Sequence, residues 1–142
     1  MNNKRKVKKL LKALKLKAKV EYGEEFYVKH GGKQLKIVIR HEKAKYTADD
    51  RMFNDLVEKI FNEKIDHKIV PALHEVAHVI KKHTPDTDAE EKHAIDFLSD
   101  LGAFTRLEAF EHYIKINSET EATKWALEFR KTPLYKQIFE RS

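Results

Sequence analysis

Apolar residues recur along the chain with two different periods, and the switches between them mark out the elements. Within residues 4–19, Val7, Leu10, Leu11, Leu14 and Ala18 fall at helical spacing with lysines on the other faces, which predicts a short basic amphipathic helix. From Glu24 to Arg40 the period becomes two: Phe26 and Val28 precede His30-Gly31-Gly32-Lys33, and Leu35, Ile37 and Ile39 follow. Two such runs around Gly-Gly predict a β-hairpin over about 25–40, with Gly23 ending the segment before it.

Helical spacing returns after a polar connection. Thr47-Ala48-Asp49-Asp50 is a helix-start signal, followed by a stripe of Met52, Phe53, Leu56, Val57, Ile60 and Phe61 that reads as core support. Residues 62–68 read as a loop. Pro71 suits the first turn of a helix running to about His83, because its missing N–H has no partner to lose there. Thr87-Asp88-Ala89-Glu90 has the pattern of a capping box and opens a long helix to about Ile116, with Gly102 as a place for a bend. Ser118-Glu119-Thr120-Glu121 opens a last helix carrying Ala122, Trp125, Ala126 and Phe129, and Leu134, Tyr135, Ile138 and Phe139 form a final apolar turn after Thr132-Pro133. The fold expected is α+β: a small antiparallel sheet packed with four or five helices. Residues 1–20 form a basic arm and residues 21–142 a single domain.

The chemistry concentrates in His74-Glu75-Val76-Ala77-His78, an H-E-x-x-H stretch on the helix that starts near Pro71. Leu73, Val76, Ala77 and Ile80 share a face to be buried, and the two histidines share its flank. Four residues apart on a helix, their imidazoles can converge on one divalent metal while the glutamate between them reaches a water, so Glu75 is the candidate general base. The chain has no cysteine, which excludes a disulfide framework and a thiolate zinc site. Any metal must be held by imidazole and carboxylate. A catalytic zinc keeps three protein ligands and one open position, so a third ligand is needed. The short loop at 84–87 predicts that the next helix returns antiparallel to the motif helix, bringing Glu91, His93 or Asp96 near the pair.

Charge is uneven along the chain. Nine basic residues, from Lys4 to Lys19, precede the first acid, Glu21; removing them from 29 leaves 20 basic against 23 acidic residues. The basic balance therefore belongs to the arm, which fits contact with nucleic acid or an acidic partner, or alternatively a solvated helix docking its leucines on the body. No apolar run approaches the ~20 residues of a membrane span, and lysines interrupt any secretory signal, so a cytoplasmic protein is expected.

His74-Glu75-Val76-Ala77-His78, taken with Glu119-Thr120-Glu121-Ala122-Thr123-Lys124-Trp125-Ala126 and Pro133, resembles the ImmA/IrrE-type metallopeptidases of phages and mobile elements, whose second motif reads E-x-x-A-N/D-x-F/W-A. The resemblance covers roughly residues 70–133. It implies a zincin-like helix, Zn2+ held by His74, His78 and Glu119, Glu75 as general base, and a protein substrate such as a DNA-binding regulator. A competing register at Glu91, in which Ala94 and Phe97 also match, would place the third ligand on the earlier helix; Glu119 is preferred, with Asp96 and His93 behind. His83, His112 and Tyr113 are candidates for outer contacts to the site. Against the peptidase stand two other readings: a metal-retaining pseudoenzyme, and a non-enzymatic nucleic-acid- or protein-binding module whose histidines are incidental or structural.

Overall fold

A computed structural model of the chain describes residues 2–140; the first residue of the expected arm and the last two of the expected domain lie outside the described residues. The fold is α+β. Helix α1 (Asn3–Ala13) leads into strand β1 (Ala18–Gly23), and β2 (Tyr27–Lys29) and β3 (Leu35–Arg40) follow. Then come α2 (Ala48–Phe61), α3 (Ile69–Ile80), α4 (Ala89–Asp100), α5 (Arg106–Ile114) and α6 (Asn117–Phe129). A three-residue α7 (Pro133–Tyr135) runs into a π turn at Lys136–Glu140. Among the described residues no helix is long and apolar enough to cross a membrane.

The sheet departs from the antiparallel hairpin expected. β2 and β3 do pair antiparallel, Val28 opposite Ile37, across a loop whose Gly31 and Gly32 take φ of 102° and 75°. β3 is central, however, and its other edge takes β1 in parallel, Val20 opposite Ile37, so the sheet is mixed in the order β1-β3-β2. The third strand comes from a segment whose spacing fits both periods. Leu14, Leu16, Ala18 and Val20 alternate with Lys15, Lys17 and Lys19, while Leu14 and Ala18 also continue the helical stripe. Asn2 caps α1 by accepting from Arg5 N–H, the helix closes at Leu14, and Lys15 at φ 57° turns the chain into β1. Pairing with an already buried β3 decides for the strand, since Ile37, Val38 and Ile39 are all at most 2% exposed.

The leucine stripe of α1 enters the core. Val7 and Leu10 are fully buried and join one cluster with Val20, Ile37, Leu73, Val76 and Ala126, so arm and body share it. Leu10→Ala should lower unfolding stability by about 2–5 kcal/mol in a denaturant titration, as for other fully buried leucines. A loss below about 0.5 kcal/mol, the usual range for a surface change, would mark α1 as an undocked arm.

The long helix expected over Thr87–Ile116 is two helices. Gly102, at φ 77°, ends α4, and Thr105 starts α5 with a capping box in which its hydroxyl accepts from Glu108 N–H and the Glu108 carboxylate from Thr105 N–H. At the front of α4 the expected box of Thr87 and Glu90 does not form: the Thr87 hydroxyl accepts from Thr84 N–H, and Asp88, at a left-handed φ of 55°, accepts from Ser118 N–H and serves the start of α6. The helix start expected at Thr47 forms, and Thr47 and Asp50 close it with a capping box. With one helix divided and α1 packed in, the described residues hold six helices of nine or more residues, where four or five were expected, and α1 and α3 are the ones that pack chiefly on the sheet.

α3 packs chiefly against α6, and this pairing positions the candidate site. Ala77, Ala122 and Ala126 are fully buried, so little side-chain volume separates the two backbones. α4 buries none of its residues and packs chiefly on α5.

Candidate metal centre

His74 and His78 lie one turn apart on α3, and Glu119 lies in the first turn of α6. Facing across the close helix pair, they bring three donor atoms to one point. His74 Nε2 is 2.9 Å and His78 Nε2 3.0 Å from Glu119 Oε2, and the two nitrogens are 3.0 Å apart. These three residues form a group able to hold a metal ion. A tetrahedral ion with ligand bonds of ~2.0–2.1 Å holds its donors about 3.3 Å apart. Outward movement of each donor by a few tenths of an ångström would therefore seat one. The donor set, two imidazoles and a carboxylate, is one that zinc accepts.

A second ring of contacts fixes the orientation of each donor. His74 Nδ1 is 2.9 Å from Thr123 Oγ1, and Thr123, one turn after Glu119 on α6, is buried with it. In the tautomer with Nδ1–H donating to Thr123, Nε2 carries the bare lone pair that a metal needs. His78 Nδ1 is 2.8 Å from His83 Nδ1, and His83 Nε2 lies 3.3 Å from Glu121 Oε1, so a carboxylate stands behind the second imidazole through a bridging histidine. Tyr113 OH donates to Glu119 Oε1 at 2.8 Å, with Lys92 Nζ 3.6 Å from the same oxygen, leaving Oε2 to the imidazoles. Burial pushes the Glu119 carboxyl upward, but in the metal-free protein, where each imidazole carries a proton on Nε2, hydrogen bonds from His74 and His78, and their charges, hold it far below the usual carboxylate range. Tyr113 is pushed well above its ordinary value by burial and by the Glu119 charge, so it stays a donor.

Glu75 has the opposite environment. It is 8% exposed, its Oε2 has no hydrogen-bond partner, and burial raises its pKa from 4.5 to about 7, with the His78 charge opposing and the Glu119 charge adding. A buried carboxyl oxygen without a partner is destabilising, and such groups concentrate where a proton is exchanged. Glu75 opens on the same cleft as His74, Glu119 and Thr123, a space of about 610 Å³ whose apolar wall includes Phe53 and Val57 of α2 and Phe110 of α5. The α2 stripe, expected only to support the core, thus faces the cleft, with Phe53 and Phe110 edge to face at 5.4 Å.

No protein-family model, curated protein or solved structure matches this chain.

The structure brings together His74, His78 and Glu119, with Glu75 beside them, and keeps the competing residues out. Glu91, His93 and Asp96 are exposed on α4 and take no part in the donor group. The residue of α4 that does reach the site is Lys92, which no pattern singled out. His112 stacks on Phe104, ring centroids 4.4 Å apart, and makes no contact with the donors. Ser118 and Glu121 have the spacing of a capping box at the start of α6, but Glu121 serves His83 and the Ser118 hydroxyl is left without a partner. Thr123 stands at the Asn/Asp position of the second motif that the chain resembles, one turn after Glu119, and there it meets the His74 ring.

Proposed function

We propose that the chain is a zinc-dependent peptidase of the ImmA/IrrE kind, acting in the cytoplasm on a regulatory protein such as a DNA-binding repressor. The observation that carries this reading is the convergence of His74 Nε2, His78 Nε2 and Glu119 Oε2 within 3.0 Å of one another, with the unpartnered Glu75 carboxyl on the same cleft. Zinc, when bound there, would polarise a scissile carbonyl and acidify a water molecule. The Glu75 carboxylate, which lines the same cleft as His74 and Glu119, accepts the proton of that water and returns it to the leaving nitrogen. Thr123 and His83 hold the two imidazoles in their tautomers, and Tyr113 holds the Glu119 carboxylate. The apolar wall from Phe53 to Phe110 receives a substrate side chain and excludes water beside the reacting bond.

Protein purified without chelator should carry about one zinc per chain, the count expected for a single three-ligand site. It should cleave an unfolded protein substrate in a chelator-sensitive manner, and His74→Ala should lose both metal and cleavage. Absence of zinc from the unaltered chain, or equal zinc in His74→Ala, would leave the non-enzymatic reading standing. Zinc without cleavage of any regulator offered would leave the metal-retaining pseudoenzyme.

A further inference from the structure

The charged face of α1 and the start of β1 form a second surface, built from residues that the metal centre does not use. Arg5, Lys8, Lys9, Lys12, Lys15, Lys17 and Lys19 are exposed. Among the described residues none of the ion pairs uses a cation from this segment, whereas Arg40, Arg106, Lys115, Arg130 and Lys131 elsewhere are each paired. Lys6 is occupied with the Phe139 carbonyl, and Lys4 lies over the Tyr22 ring. The arrangement works against the helix: α1 has no acid in its first turn, where the dipole favours one, and like charges recur at four-residue spacing in Arg5 and Lys9 and in Lys8 and Lys12. A helix so charged gains from an anionic partner what it lacks in the free protein.

The charges also share a shape. Lys8 and Lys12 from α1, Lys17 from the approach to β1 and Lys19 from its second position line one groove of about 590 Å³, with Gln34 at its edge and Leu11 and Leu16 among its apolar lining. Lys8 and Lys12 are about 6 Å apart along the helix axis. A nucleic-acid duplex presents one charge per ~3.4 Å of axis on each strand, so neighbouring phosphates fall within reach of the four ammonium groups.

We infer that this groove binds the phosphate backbone of duplex nucleic acid, without reading base sequence. Two observations select that partner. The apolar stripe of α1 is committed to the core, with Val7, Leu10 and Leu11 at most 3% exposed, so the helix has no face left to insert among lipid chains. The groove lining contains no aromatic residue, so it offers no platform for the stacked bases of a single strand. The inference is independent of the peptidase reading and would hold for a chain without activity.

The test is a fluorescence-anisotropy titration of the full chain against a labelled duplex of arbitrary sequence, two helical turns long, at several salt concentrations between about 50 and 200 mM. The unaltered protein should bind with an affinity falling steeply with salt. Replacing Lys8, Lys12, Lys17 and Lys19 together by Gln should weaken binding at least about tenfold and lower the slope of log affinity against log salt by about 3–4, near 0.9 for each phosphate no longer neutralised. A control in which the exposed Lys43, Lys59, Lys81 and Lys124 become Gln removes the same charge and should change affinity less than about threefold, since these side chains would touch no phosphate. Replacing the four groove lysines by Arg should keep binding, which guards against a folding defect in the Gln variant. Equal losses in groove and control variants, no binding at low salt, or tighter binding to anionic lipid vesicles than to the duplex would each overturn the assignment.

Discussion

Glu75→Gln is expected to reduce peptide hydrolysis by about a hundred- to ten-thousandfold, the range for loss of a positioned general base, while zinc content stays that of the unaltered chain. The two halves of the result separate a base from a ligand, because Glu75 lies outside the group of three donors. A third measurement does not depend on activity. The native Glu75 carboxyl has its pKa raised from 4.5 to about 7, so the folded state holds this proton more tightly than the unfolded chain. Below about pH 4.5 both states are protonated and burial costs little. As the pH rises toward 7 the unfolded chain ionises freely and the native chain resists, so this group's contribution to stability falls until the native carboxyl also ionises. Glutamine carries no such dependence. For the metal-free proteins, the melting temperature of Glu75→Gln should therefore gain on that of the unaltered chain between about pH 5 and 8. A gap that does not change with pH, or a variant that still hydrolyses its substrate, would remove Glu75 from the role of base.

The legible parts of the fold are those decided locally. The α3 stripe, the helix start at Thr47 and the Gly31-Gly32 hairpin each follow from chemistry within a few residues. What was hidden depends on partners far along the chain. Residues 14–20 satisfy two periods at once, and only the edge of β3 selects the strand. Parallel pairing leaves no turn signature, since the two strands are not joined by a tight loop.

Capping illustrates the same limit at the site itself. Thr87 to Glu90 and Ser118 to Glu121 both fit the box pattern, and neither box forms: the Thr87 hydroxyl accepts from Thr84 N–H, the Ser118 hydroxyl has no partner, and Glu121 is drawn to His83. The two acids at the start of α6 could have served its own amide groups, which is the commoner use of an acid at that position. Their use by His74 and His78 of α3, and by His83 in the loop after it, depends on how closely α3 and α6 approach. The fully buried alanines at 77, 122 and 126 add little bulk to these two helices, a feature whose use shows only once they are packed.

The contest for the third ligand yields the sharpest remaining expectation. Glu119→Gln should lower zinc affinity by more than about a hundredfold, beyond the 10- to 100-fold typical of changes behind the ligands, whereas Glu91→Gln, His93→Gln and Asp96→Asn should leave it within about twofold. The reason is geometric and electrostatic together. Glu119 is 3% exposed and is the carboxylate that both imidazoles face, while the other three side chains project into solvent from α4. Glutamine keeps the shape but removes the charge that opposes the ion, and its amide group disturbs the contacts with Tyr113 and Lys92. In the metal-free protein the same change breaks a buried charged network and should cost about 3 kcal/mol or more of stability, readable by denaturant titration. Zinc binding must therefore be measured below the temperature at which the variant begins to unfold. Retention of zinc by Glu119→Gln with loss in Glu91→Gln would place the third ligand on α4. The α4–α5 pair would then have to rotate against α3 on loading, carrying Lys92 away from Glu119 and Glu91 in toward the histidines.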